Sequence, residues 1–152
     1  MSEYLQTTID KFTFRVATDR LYTAEGVWVL ALQSRGPQRV RLGVTDFVQQ
    51  RSGDVAFVNV KRSGASLQAG DDFAELETMK INQGLSSPVG GSIVEINKAL
   101  EMTPEVVNQD PYAEGWLTVM EVTKWEADRI KLLDAPAYFV VMQAQAEEEL
   151  NS

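Results

Sequence analysis

The chain has 152 residues, of which 44% are hydrophobic and 24% are charged, so it can bury the core of one ordinary domain but is too short for two large ones. Its 14 basic and 22 acidic residues give a net charge of −8, which makes a nucleic acid or an anionic membrane surface an unfavourable partner. Cysteine and histidine are both absent, which excludes thiolate nucleophiles, Cys/His metal sites and imidazole acid–base catalysis. Redox or group-transfer chemistry would therefore need a group that the chain imports.

The sequence also argues against a membrane protein. No segment has the run of roughly 18 apolar residues that a membrane-spanning helix needs, and the first residues lack the basic and then apolar pattern of a secretory signal. We therefore expect a cytoplasmic protein that binds neither a membrane nor a nucleic acid. Its acidic charge would steer it toward basic surfaces of other proteins.

Short alternating segments of β-forming residues recur along the chain as far as residue 122 and predict strands. Glycines, prolines and acidic turn residues separate them, and none of the intervening segments has room for the crossover helix that a parallel sheet requires. The pattern therefore predicts a mainly β fold, a flattened antiparallel barrel or sandwich. We expect strands over residues 12–16, 27–32, 39–44, 55–60, 73–78, 92–97 and 116–122, with residues 1–8 loose.

Three places in the sequence carry helix signals. Thr45 is an N-cap residue before a short segment that stops at Ser52-Gly53, which predicts a helix of one or two turns. Thr103-Pro104 predicts a second brief helix with the threonine as its cap. From Trp125 onward apolar residues recur at helical spacing, and Pro136 can open a further helix. We therefore expect short connector helices and a C-terminal helical extension.

Lys80 differs from the other lysines in its predicted position. It lies between the predicted strand 73–78 and a return segment that contains Gly84, so we expect it at the tip of a β-hairpin. Most turn lysines are simply solvated, but a lysine on a stiff turn can also anchor a long, flexible attachment in a fixed place. Acylation of its ε-amine would supply the reactive chemistry that the missing cysteine and histidine cannot.

The segments on both sides of this lysine resemble the glycine cleavage system H protein, a family of lipoyl carriers. The resemblance covers roughly residues 20–145, and its most specific part is Asn108-Gln109-Asp110-Pro111-Tyr112-Ala113-Glu114-Gly115-Trp116. The other matching segments are Tyr22–Glu25 with Trp28-Val29, Gly43–Phe47, Gly53–Val58, Glu77–Lys80, Ser87–Asn97, Pro104–Leu117 and Leu132–Ala135.

The resemblance implies a fold and a domain organisation. The implied fold is the flattened barrel of lipoyl and biotinyl carriers, also described as a barrel-sandwich hybrid. We expect an N-terminal extension with one strand over residues 1–20, the lipoyl-carrier domain over residues 21–123 and the helical extension over residues 124–152.

The resemblance also implies the chemistry. Lys80 would carry lipoate in amide linkage, flanked in the hairpin by Glu77, Thr78, Met79 and Ile81. The protein would be a non-catalytic carrier that is modified by a lipoate–protein ligase or a lipoyl transferase. Its arm would accept an aminomethyl group at glycine decarboxylase, pass it to an aminomethyltransferase and be reoxidised by dihydrolipoamide dehydrogenase.

Two positions depart from the family's pattern. Gly26-Val27 stands where the family usually has His-Glu, close to the cleft that holds the loaded arm, and Ile81-Asn82 follows the lysine where alanine and an acidic or small polar residue are usual. Some H-like proteins are instead lipoate-binding carriers of a bacterial sulfur-oxidation pathway built on a heterodisulfide-reductase-like complex. That role is the alternative function, and Gly26-Val27 predicts weak performance in glycine cleavage.

Other interpretations of the same residues have less support. Met79-Lys80 is similar to the Met-Lys-Met of biotin carriers, but Ile81 replaces the second methionine. An unmodified interaction module that keeps the carrier fold as a scaffold is a further alternative. Asp71-Asp72 is better explained as a turn than as a metal site. Trp28, in an apolar strand, is better explained by core packing than by a ligand cleft.

Overall fold

The structure, a computed structural model, describes residues 3–151 as a mainly β protein with antiparallel sheets and short helices. The strands are β1 (Tyr4–Ile9), β2 (Phe12–Ala17), β3 (Leu21–Tyr22), β4 (Val27–Leu32), β5 (Arg39–Val44), β6 (Val55–Val60), β7 (Ser66–Leu67), β8 (Asp72–Thr78), β9 (Asn82–Ser86), β10 (Gly91–Ile96) and β11 (Thr118–Val122). The helices are α1 (Asp46–Ser52), α2 (Ala99–Met102), α3 (Val106–Gln109), α4 (Trp125–Arg129) and α5 (Ala135–Leu150).

Two sheets enclose the main hydrophobic core. One has six strands in the order β3-β4-β5-β11-β10-β7, and the other has three strands in the order β6-β8-β9. Leu42 and Met120 from the larger sheet and Phe73 and Leu76 from the smaller one are fully buried in this core. Burial of each such side chain stabilises the fold by roughly 1.5–3 kcal/mol. The predicted mainly β, flattened antiparallel fold is confirmed.

The N-terminal residues form a hairpin of β1 and β2, a separate two-stranded sheet. The prediction that residues 1–8 are loose is wrong for residues 4–8, which belong to β1, whereas residues 1 and 2 lie outside the described part of the chain. Within residues 3–20 there are therefore two strands where the sequence predicted one. The hairpin is stabilised by a second core, in which Phe14 packs edge to face on Phe47 of α1, with ring centroids 5.6 Å apart.

Helix α1 begins and ends where the sequence predicts. The Thr45 hydroxyl accepts a hydrogen bond from the Val48 amide at 3.3 Å. The helix stops at Gly53, whose φ of 84° lies in the left-handed region that glycine adopts without strain. The same threonine hydroxyl is hydrogen-bonded to the Tyr138 hydroxyl at 2.9 Å. The cap of α1 therefore also ties this helix to α5.

The helix predicted after Thr103 is present as α3, but the prediction that this threonine caps it is wrong. Thr103 instead ends α2, a helix that the sequence did not indicate, and its hydroxyl donates to the Ala99 carbonyl oxygen at 3.0 Å. Helix α3 has no side-chain cap. A threonine hydroxyl can bond to a carbonyl oxygen four residues earlier as readily as it can cap a following helix, and here the earlier partner is used.

Trp28 is a core residue, as the sequence predicts. Its side chain is fully buried, and its indole nitrogen donates to the Pro111 carbonyl oxygen at 3.0 Å. The indole lies over Gly43 of the neighbouring strand, where a β-carbon would come within 2.3 Å of the ring. The Arg20 guanidinium stacks on the same ring at 4.6 Å from its centroid. These contacts pack the tryptophan into the second core.

The C-terminal extension is helical, as expected. Asp134 caps α5 by accepting a hydrogen bond from the Ala137 amide at 2.9 Å, and Pro136 lies in the first turn of the helix. The inner face of α5 contributes the fully buried Tyr138 and Met142 to the second core. Helix α5 therefore closes the side of the protein on which the N-terminal hairpin lies.

The burial of Tyr138 predicts that the fold loses stability at alkaline pH. Burial raises the pKa of its hydroxyl to about 12, although the hydrogen bond with Thr45 acts in the opposite direction. In the unfolded chain the hydroxyl ionises near pH 10, so between about pH 10 and pH 12 only the unfolded state loses this proton. The free energy of unfolding therefore falls as the pH rises through that window.

We expect the free energy of unfolding of Tyr138→Phe to fall by about 2 kcal/mol less than that of the unsubstituted protein between pH 10 and pH 12. Near pH 8 we expect the variant to be about 1 kcal/mol less stable, because Thr45 loses a hydrogen-bond partner. Urea unfolding of both proteins at a series of pH values measures the difference. Burial also raises the pKa values of Tyr112 and Tyr22, and this largest cause acts in both proteins. Parallel stability curves above pH 10 would contradict the assignment.

Candidate functional site

Lys80 lies at the tip of the hairpin formed by β8 and β9, as the sequence predicts. Thr78 closes the turn, because its amide donates to the Ile81 carbonyl oxygen at 2.9 Å. Its hydroxyl oxygen also accepts hydrogen bonds from the amides of Lys80 at 3.2 Å and Ile81 at 3.1 Å. Strand β8 is paired with β6 along its other edge, so the strand that leads into the turn is held from both sides.

The Lys80 side chain is exposed, and its ammonium group takes part in none of the ion pairs among residues 3–151. Its aliphatic stem lies over Gly53, where a β-carbon would be 3.6 Å from Cε and 3.7 Å from Cδ of the lysine. The amine is therefore accessible to a modifying enzyme, while the stem rests on the backbone of the loop that joins α1 to β6.

Asn108 fixes the loop beneath this stem. Its Nδ2 donates to the Gly53 carbonyl oxygen at 2.9 Å and to Gln49 Oε1 at 3.1 Å, and its Oδ1 accepts from the Val55 amide at 2.9 Å. One side chain thus ties α3 to the end of α1 and the start of β6. The sequence showed Asn108 only as part of a motif, because its partners lie 53 to 59 residues away.

The predicted flanking residues lie together around the lysine. Met79 is 88% exposed and Ile81 is 44% exposed, so two apolar side chains stand in solvent at the tip. Glu77 is half-buried, and its carboxylate accepts a hydrogen bond from Asn59 Nδ2 at 3.0 Å. Thr78 shapes the turn through the hydrogen bonds described above. The turn therefore presents the amine from a rim of one acidic and two apolar side chains.

Gly26-Val27 is enclosed by the fold. Gly26 has a φ of 94°, and a β-carbon on it would lie 2.3 Å from Val48 Cγ2 and 3.2 Å from the Tyr138 hydroxyl oxygen. Val27 is 1% exposed and belongs to the main core. No histidine fits at position 26 in this arrangement, because the space is filled from α1 and α5.

The remaining candidate from the sequence lies away from the lysine turn. Asp71 forms a turn, as expected, in which its Oδ2 accepts a hydrogen bond from the Gln68 amide at 2.8 Å. The prediction is wrong for Asp72, which is the first residue of β8 and pairs with Ser86 of β9. Among residues 3–151 there is no group of three or more acidic side chains that could hold a metal ion. The same part of the chain has no helix that is long and apolar enough to cross a membrane.

Comparison with known proteins agrees with this geometry. The family model for the glycine cleavage H-protein matches residues 20–145. The chain belongs to the glycine cleavage H-protein family. Its predicted function as a lipoyl carrier of this type is therefore confirmed.

The matches to individual relatives extend over nearly the whole length of each relative. The glycine cleavage system H protein of Mycobacterium avium is 42% identical over 126 residues, which are 81% of this chain and 93% of the relative. That of Beutenbergia cavernae is 44% identical over 123 residues, with the same coverage. The crystal structure of the Mycobacterium marinum protein superposes with a TM-score of 0.67 at 31% identity, covering 80% of this chain and 94% of that chain.

The packing around Gly26 predicts that the family's usual residue cannot be restored. We expect Gly26→His to lower the free energy of unfolding by about 3 kcal/mol, because the new side chain overlaps Val48 and the backbone has a positive φ. Gly36→His is the matched control, since a β-carbon there would meet no atom within 4 Å. Urea unfolding measures both variants. Equal midpoints for the two variants would show that the site can open to admit histidine.

Proposed function

We propose that Lys80 is the lipoyl attachment site of this carrier. The observation that supports the proposal is the position of the lysine, exposed at the tip of the β8–β9 turn and held by Thr78. An enzyme that forms the amide must bring the lipoate carboxyl carbon to bonding distance of Nζ, so the amine must project from the surface. The turn meets this requirement, and the residues present fit the group.

The protein and its attached group have different tasks. When bound, lipoate supplies the dithiol chemistry that a chain without cysteine cannot perform. The chain itself fixes the base of the arm through Thr78 and supports the lysine stem on Gly53. A tethered group meets each partner enzyme at a high effective concentration. In this proposal the protein is a non-catalytic subunit.

The partners of the proposed carrier follow from the family. A lipoate–protein ligase or lipoyl transferase would modify Lys80, and glycine decarboxylase, an aminomethyltransferase and dihydrolipoamide dehydrogenase would use the arm. We propose a cytoplasmic location for the carrier. The net charge of −8 would speed encounter with partners that have basic docking surfaces.

A second candidate is a carrier of sulfur species for a heterodisulfide-reductase-like complex. The observation in its favour is the enclosed Gly26, since the histidine and glutamate that the family usually has beside the loaded arm are replaced here by a glycine and a core valine. The same Lys80 arm would serve both functions. The two candidates therefore differ in cargo and partners rather than in the attachment site.

The attachment site is tested by Lys80→Arg. We expect the protein expressed with a lipoylation system to show one amide-linked lipoyl increment by intact mass spectrometry, and this variant to show none, because arginine offers no acylable amine at the turn. Lys61→Arg, at another exposed lysine, should keep the full increment. A lipoyl increment that persists in Lys80→Arg would overturn the assignment, and a biotinyl increment at Lys80 would replace lipoate by biotin.

The cargo is tested by glycine-dependent loading. We expect the lipoylated protein to accept label from glycine at glycine decarboxylase at least about tenfold more slowly than the lipoylated Mycobacterium avium relative, a difference of about 1.4 kcal/mol in the transition state. Its physical reason is the loss of the polar pair at positions 26 and 27. Loading at the rate of the relative would favour glycine cleavage and remove the argument for a sulfur cargo.

A further inference from the structure

Helix α5 has an outer face that the other described residues leave exposed. Tyr138 and Met142 point into the second core. Ala137, Val140 and Ala144 follow one another at helical spacing on the opposite side of the helix and are exposed. Val140 alone keeps 68% of its surface in solvent. The helix therefore presents apolar surface to solvent over about two turns.

This face also lacks charge. From Ala135 to Ala146 the helix contains no acidic or basic residue, although 24% of the chain is charged. A helix on the surface of a protein ordinarily has charged and polar residues on the side that faces solvent, and an apolar side is ordinarily buried. The composition of α5 therefore indicates that a partner covers its outer face.

The charge of the chain indicates which partner fits. Two copies that each have a net charge of −8 repel each other, and the repulsion is strongest where carboxylates are brought close together. On the uncharged face of α5 two copies can meet without opposed carboxylates at the centre of the contact. A basic protein, in contrast, would gain no electrostatic attraction from this face. The occupant that the face fits is a second copy of this chain.

Two-fold symmetry determines how the two helices pair. In a symmetric dimer the same patch lies on both protomers, so with the axis at the centre of the face the helices run antiparallel. Val140 then lies near the partner's Val140, and Ala137 lies near the partner's Ala144. The small alanine side chains allow the two helix axes to approach to about 8 Å.

We propose that the protein forms a homodimer in which α5 packs antiparallel on α5 of a second copy. The helix has 16 residues and is therefore about 24 Å long. A contact confined to one such pair of helices buries less than the roughly 1,200 Å² of a standard interface, so the dimer is weak. We expect a dissociation constant of about 100 μM.

Antiparallel pairing separates the two lysine turns. The C-terminal end of α5 lies against α1, where Glu149 and Arg51 form an ion pair at 3.6 Å. Gly53, two residues after Arg51, lies under the stem of Lys80. The two lysine turns therefore lie near opposite ends of the paired helices, and each amine stays open to its own partner enzyme.

The ends of the contact contain charges that can be reversed. The same pairing places Glu147 near the partner's Asp134, and this pair occurs twice in the dimer. Asp134 is held as the cap of α5 by the Ala137 amide at 2.9 Å. Glu147 is exposed and takes part in none of the ion pairs among residues 3–151. Because salt screens this repulsion, we expect a tighter dimer in about 0.5 M than in about 0.05 M NaCl.

Sedimentation equilibrium of the full chain between about 10 μM and about 1 mM measures the dissociation constant. We expect Val140→Glu to raise it at least about tenfold, because two carboxylates then meet at the centre of the contact. We expect Glu147→Lys to lower it about fivefold, because both repulsive pairs become ion pairs. Glu101→Lys, at an exposed position of α2, is the matched control for the change in net charge and should alter it less than about twofold.

Each outcome decides one part of the inference. The mass of a monomer at every concentration and at both salt concentrations would overturn the dimer. Self-association that Val140→Glu leaves unchanged, with its urea midpoint showing that the variant is folded, would overturn the assignment to α5. Equal dissociation constants for Glu147→Lys and Glu101→Lys would overturn the antiparallel pairing. None of these measurements involves Lys80, so the dimer and the proposed attachment of lipoate stand or fail separately.

Discussion

The pairing of β8 along both of its edges is the constraint on which the lysine turn depends. Phe73 and Leu76 on the inner face of this strand are fully buried, so the strand cannot tilt without exposing apolar surface at a cost of roughly 1.5–3 kcal/mol for each side chain. Thr78, the last residue of this strand, accepts hydrogen bonds from the amides of Lys80 and Ile81 and so fixes the turn relative to the strand. Because a swinging arm needs a stationary base, the stability of the core and the carrier function have the same physical origin.

The second core and the hydrogen bonds beside it hold the N-terminal hairpin against α1 and the segment after α3. The Tyr112 hydroxyl donates to the Arg15 carbonyl oxygen at 2.6 Å, and the Arg15 amide donates to Asp46 at 3.0 Å. Strand β2 is therefore bonded both to the segment after α3 and to α1. Together with the apolar packing of Phe14 against Phe47, these bonds make the N-terminal hairpin part of the folded unit rather than a loose addition to it.

The sequence predicted the parts whose signals are local. The turn at Lys80 and helix α1 with its Thr45 cap follow from alternation and capping within a few residues. Strand β1 was missed because its threonines and glutamine give little local signal, and it is held by pairing with β2 and by contact with α5. The hydrogen bonds of Asn108 could not be predicted from the sequence either, since they join segments that are distant along the chain. The family resemblance implied Lys80 as the attachment residue but could not show its surroundings.

Gly26 has a consequence for how this sequence can change over time. The atom closest to the position of its missing β-carbon belongs to Val48, and the backbone there has a φ of 94°, so a larger residue at position 26 requires at least that the valine be replaced by something smaller. Substitutions at contacting positions do not add independently. The two sites are therefore epistatic, and with this packing a polar side chain at position 26 requires a compensating change at position 48.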